Sequence, residues 1–232
     1  ALAASDTNPL TALTRMGDYL RDLKTFRVDV DGVKEEPLKD GQNLQFAGTV
    51  RYTVQRPSGL HVELRTDRKQ RDYVFNGKTL TVYAPRMKYY ATVAAPPTIR
   101  EMLDTAVRRY DLEFPVADLF LWGTDRAAVD SIKASAYVGP AKIAGRDCDH
   151  FAFRQSEVDW QLWIERGDRP LPCKLVITSI TLPTRPEYSA VLTWDLSPKI
   201  EASAFNFVPP KDAHAIKLQD FSEPTATVAK KN

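Results

Sequence analysis

Residues 96–122 constrain the fold more than any other stretch of this chain. Pro96 and Pro97 end an extended run. Thr98-Ile99-Arg100-Glu101 follows with capping-box spacing, in which Thr98 and Glu101 can satisfy free N–H groups at a helix start. Ile99, Met102, Leu103, Ala106, Val107 and Tyr110 then recur on one helical face, opposite Arg100, Asp104, Arg108 and Arg109. After Pro115 comes a second apolar run, Val116, Leu119, Phe120, Leu121 and Trp122, which stops at Gly123. Nearly everything else after residue 25 reads as strand, so this helical insert, 98–122, must lie against a sheet. Its apolar stripe suits a fixed plug of core or a lid over a cavity.

A second helix is expected at residues 9–24. Asn8 is placed to cap it, Pro9 fits its first position, and Leu10, Leu13, Met16, Leu20 and Leu23 mark one face. From Phe26 the period changes to two. Phe26, Val28 and Val30 alternate with Arg27 and Asp29, and a polar turn is expected through Asp31-Gly32 and again at Lys39-Asp40-Gly41. Further short strands run to Val93, with an Asn76-Gly77 hairpin turn among their connections. Strands resume at Ala134 and continue to Leu196, with a last short one at Phe205-Asn206-Phe207.

Several later strands are apolar on both faces. Val158, Trp160, Leu162 and Ile164 share one face while Trp163 sits on the other. A sheet with one face in water alternates more cleanly. Two packed sheets, or one curved sheet wrapped around helices, meet the pattern, and two amphipathic helices favour the second. No Gly- or Ser-rich linker divides the chain. Residues 1–222 are expected to form a single domain, followed by a polar, disordered tail at 223–232.

Composition narrows the function classes. A net charge of +2, with dispersed basic residues, does not call for nucleic acid. No apolar run approaches the ~20 residues of a membrane span. Ala1-Leu2-Ala3-Ala4-Ser5 is similar to the small-residue region around a signal-peptide cleavage site, which suggests an exported chain with its signal removed. Cys148 and Cys173 fit export as a structural disulfide between neighbouring strands. The alternatives are free thiols or a metal site with His150, although zinc would need a fourth ligand and the usual Cys-x-x-Cys spacing is missing. The three histidines, His61, His150 and His214, are far apart, and no Gly-x-Ser-x-Gly elbow exists. Nothing in the sequence asks for a cofactor.

In combination, several motifs resemble the LolA/LolB-like superfamily of periplasmic lipoprotein carriers. Arg56-Pro57 is followed by Leu60, then by Phe75-Asn76-Gly77-Lys78 and Tyr83-Ala84-Pro85. The ending Phe205-Asn206-Phe207-Val208-Pro209-Pro210 is similar to that superfamily's Phe-x-Phe-x-Pro-Pro. Cys148-Asp149-His150 through Trp160-Gln161-Leu162-Trp163-Ile164 to Pro170-Leu171-Pro172 resembles a branch of predicted periplasmic proteins of unknown function.

The resemblance implies a mainly β (α+β) chain in the periplasm of a Gram-negative bacterium. Its fold would be an unclosed antiparallel β-barrel of about ten or eleven strands, with helices over the concave face. It implies a cavity for an acyl chain, with Arg56 latching the helical lid. The expected function is a non-enzymatic lipid or lipoprotein carrier. The alternatives are a docking module for an envelope protein partner and, third, an envelope hydrolase. The residues expected to line the cavity are Met102, Leu103, Val107, Leu119, Phe120, Trp122, Trp160 and Trp163.

Overall fold

The computed structural model describes residues 7–117 and 128–221. Both helices form where their caps require. α1 is Pro9–Asp22, and the Asn8 side chain accepts from the N–H groups of Leu10 and Thr11 at 3.1 and 3.0 Å. α2 is Ile99–Tyr110, where Thr98 Oγ1 accepts from the Glu101 N–H and donates to the Glu101 carboxylate at 2.7 Å. α2 ends at Tyr110, the last residue of the expected stripe, and most of the second apolar run of the insert lies outside the described residues. Asp111 turns left-handed (φ 51°), and the N–H groups of Asp111 and Leu112 fold back onto the Val107 and Ala106 carbonyls.

The described strands form one twelve-stranded sheet. They are β1 Thr25–Pro37, β2 Asn43–Gln55, β3 Gly59–Thr66, β4 Gln70–Phe75, β5 Thr79–Ala84, β6 Tyr89–Ala94, β7 Ala134–Ile143, β8 Arg146–Arg154, β9 Val158–Glu165, β10 Pro172–Ser179, β11 Glu187–Asp195 and β12 His214–Ala215. Their order is β12-β6-β5-β4-β3-β2-β1-β11-β10-β9-β8-β7, antiparallel except where β12 joins β6. The two ends do not meet, so this is the expected unclosed half-barrel with one strand more than expected. Residues from β1–β5 and from β8–β11 enter the same core cluster as both helices, which requires the sheet to curl around α1 and α2.

Register explains how the inner face is built. Trp194, Val28, Tyr52, Val62, Tyr73, Val82 and Ala91 are paired in one row across seven strands. Beside it, Phe26, Val54, Leu60, Phe75, Leu80 and Val93 form a second row. Met16, Leu20, Ile99 and Met102 pack on these rows with at most 2% exposure. The outer face of β1–β4 is polar, with Asp29–Arg51 and Arg65–Asp72 ion pairs at 2.6 Å.

The outer face of β8–β10 differs. Cys148 and Cys173 are joined there and buried with Trp163 and Val176 in a second, smaller cluster. The bond does not link neighbouring strands as expected, because β9 lies between β8 and β10. Closing this 25-residue separation contributes ~3.5 kcal/mol in the chain-entropy model. The metal alternative fails on the same geometry: the two sulfurs hold each other, and His150 Nε2 sits 3.0 Å from Gln161 Oε1.

Three other expectations change. Asp31-Gly32 is no turn; β1 runs straight through it and pairs Gly32 with Gly48. At the β4–β5 hairpin only Gly77 takes positive φ, while Asn76 accepts from the Lys78 and Thr79 N–H groups. Phe205–Phe207 joins no strand. Phe205 closes a 3-10 turn against Gly59, and Phe207 packs 5.4 Å from both Tyr83 and Tyr90. The aromatic rings drive this segment onto the sheet's outer face instead of into a ladder.

Candidate functional site

Among the described residues, the inner face stops being filled where β1, β2 and β3 run beyond the helices. On β1 the inward positions continue from Val28 and Val30 to Gly32, Lys34 and Glu36. On β2 they run from Tyr52 and Val50 to Gly48 and Phe46. Gly32 and Gly48 are directly paired, so two neighbouring strands lack side chains at one spot. A glycine inside a strand often marks a close approach of something else to the backbone. Neither glycine has a positive φ, so neither is required by its backbone conformation.

A pocket of about 310 Å³ stands over this pair. Val50, Leu64, Phe46, Pro115 and the Tyr188 ring supply apolar wall. A methyl group added at Gly32 would lie 3.1 Å from Tyr188 Oη, and one at Gly48 would lie 2.8 Å from Thr66 Cγ2. The two glycines therefore keep the floor open. Burial raises the Tyr188 phenol to about 12, so it remains a neutral hydrogen-bonding group. The wall toward α2 is the segment after that helix. Tyr52 donates its hydroxyl hydrogen to the Pro115 carbonyl, and Phe114 packs 4.6 Å from Tyr73. These contacts pin the segment across the sheet, between the packed end and the open end.

The rim is charged. Arg68 pairs with Glu36 at 2.7 Å and lies 3.7 Å over the Phe46 ring. Lys34 approaches the same Glu36 at 3.8 Å. Lys69 pairs with Glu113, joining the β3–β4 turn to the segment after α2. The hydrogen bond from Lys69 is the main cause that holds Glu113 below the ordinary carboxylate range, opposed by burial and reinforced by Lys34. Such half-exposed pairs contribute only about 0–1 kcal/mol each, so an entering group can displace them at little cost.

The side chains singled out in the sequence fall elsewhere. Met102, Leu103 and Trp160 are buried in the main core, with Trp160 stacked 4.0 Å from Phe153. Val107 lies at the edge of the α2 stripe and is 49% exposed. Trp163 faces outward, stacked 4.0 Å from His150, because residues three apart on a strand point to opposite faces. Leu119, Phe120 and Trp122 lie outside the described residues. The Arg56-Pro57 turn stands between the two helices. The Arg56 guanidinium reaches the Leu20 carbonyl at 3.5 Å, its backbone N–H donates to the Lys24 carbonyl, and the Pro57 carbonyl accepts the first N–H of α2 at 2.8 Å. Burial lowers the Arg56 pKa.

Among the described residues, this is an unclosed half-barrel with an apolar, charge-rimmed pocket on its inner face. This chain belongs to the DUF2092 family of predicted periplasmic proteins, whose model matches residues 10–219, and its location is the periplasm. No curated protein matches it. Among solved structures, an uncharacterized conserved protein from Thermus thermophilus is similar over 90% of this chain and 98% of its own, at 11% identity and a TM-score of 0.51. LprF from Mycobacterium bovis is similar over 90% and 100%, at 12% identity and a TM-score of 0.46. The LolA superfamily protein NE2245 from Nitrosomonas europaea is similar over 88% and 99%, at 11% identity and a TM-score of 0.36. At these identities the likeness concerns the fold. Among the described residues no helix is long and apolar enough to cross a membrane.

Proposed function

We propose that this chain is a non-enzymatic periplasmic protein that binds a lipid or acyl chain on the inner face of its half-barrel and carries it through water. The observation that supports this most is the pocket over the Gly32–Gly48 pair, apolar below and charged at its mouth. Transferring a fourteen-carbon chain into such a site contributes on the order of 10 kcal/mol before binding costs, at ~0.8 per methylene. Met102, Leu103 and Trp160 are the side chains that would shift if a longer chain pushed toward the helices. Arg56 would latch both helix ends during that shift.

Native mass spectrometry of protein released from periplasm without detergent tests the reading. The expected result is a bound species of lipid mass, released on denaturation. Repeated recovery of ligand-free protein with one stoichiometric protein partner would replace it with a docking role.

A further inference from the structure

We infer that the ligand is a single-chain amphiphile with an anionic head, its carboxylate or phosphate held at the rim by Lys34, Arg68 and Lys69. The inference rests on reading the pocket as a lipid site and narrows what that lipid is. Three cations and two carboxylates, Glu36 and Glu113, line the mouth. Arg68 and Lys34 share Glu36, so the rim carries one positive charge that its own carboxylates do not balance. An anionic head balances it, and a cationic head is repelled.

Geometry sets the number of chains. The cavity of about 310 Å³ lies at the low end of the roughly 300–1,000 Å³ range of ligand pockets, which suits one chain better than two or three. The floor is apolar where a chain would lie, along Val50 and Leu64. On β1 the charges begin at the next inward position beyond the glycine pair, Lys34, about 7 Å further along, and continue at Glu36, while Arg68 and Lys69 come from the β3–β4 turn. Phe46 holds Arg68 by its ring and fixes one cation at the mouth. The Tyr188 hydroxyl lies over Gly32, at the boundary between chain and head, and can donate to either head.

Titration of delipidated full-length protein with four probes of equal chain length, each below its micelle concentration, tests this. The probes are myristate, monomyristoyl lysophosphatidic acid, tetradecanol and tetradecyltrimethylammonium. Either anion should bind about tenfold more tightly than tetradecanol, with the cation weakest. Which anion is preferred names the head. Lys34→Gln, at an exposed position, should weaken the anions about threefold and leave tetradecanol unchanged. Equal affinity for anions and alcohol, or a preference for the cation, overturns the inference and leaves the apolar-ligand reading intact. Failure of all four to bind overturns both.

Discussion

The two ends of the inner face are made from the same strands and differ by a few side chains. At one end Val28, Tyr52 and Val62 meet α1 and α2 with 0% exposure. Four residues along, the same registers place Gly32, Gly48 and Thr66, and a pocket opens. A sheet that curls around helices has more inner face than two short helices can cover. Among the described residues, one end is filled and the other has no side chain at the Gly32–Gly48 pair. The packed end supplies stability, and the open end carries the proposed ligand site.

The comparison can be broken at either end. Met102→Ala removes a fully buried side chain at the packed end. It should cost about 2–5 kcal/mol in chemical denaturation while leaving affinity at the open end within about twofold. A large loss of binding would mean that the ends are not separate. Replacing both cysteines by Ala lies outside both regions. It should lower stability by ~3 kcal/mol, read as a shift in denaturation midpoint that reductant reproduces in the parent protein. Gly32→Val, unlike Met102→Ala, should act on binding. The new side chain enters the pocket, so affinity for an acyl probe should fall about tenfold or more, while stability falls by roughly 1–3 kcal/mol, at the low end if the Tyr188 ring gives way.

The smallest effect is expected at the rim. Glu113 has its folded pKa below its unfolded value near 4.5. Its contribution to stability is therefore present above about pH 4.5 and lost as pH falls through the lowered folded value. Glu113→Gln should flatten the acid limb of a stability profile over that window, by less than about 1 kcal/mol. An unchanged limb would show that the Lys69–Glu113 pair does not hold the mouth.

Much of the packed end is legible in the sequence. Asn8-Pro9 and Thr98–Glu101 announce their helices, and the alternation of Phe26, Val28 and Val30 gives the inner face of β1. The two-faced pattern of Trp160 and Trp163 points to a curved sheet around helices, but both residues are expected from sequence to line one cavity and the fold puts Trp163 in a separate outer cluster. The open end is not legible, for a physical reason. A pocket floor shows in sequence as missing side chains and its rim as charges, and Gly32 followed by Lys34 and Glu36 resembles a turn more than a strand. The signal is the unbroken period of two through those residues. It acquires meaning only when register sets Gly32 beside Gly48. Tyr188 and Pro115 come from distant parts of the chain, and only the fold brings them to the same pocket.

The most direct measurement is a crystal structure of the protein purified from periplasm without delipidation. The account predicts one continuous chain of density running over Gly32 and Gly48, with its head at Lys34 and Arg68. Density only between the helices and the Val28–Tyr52–Val62 row, or an open end holding water alone, would contradict it.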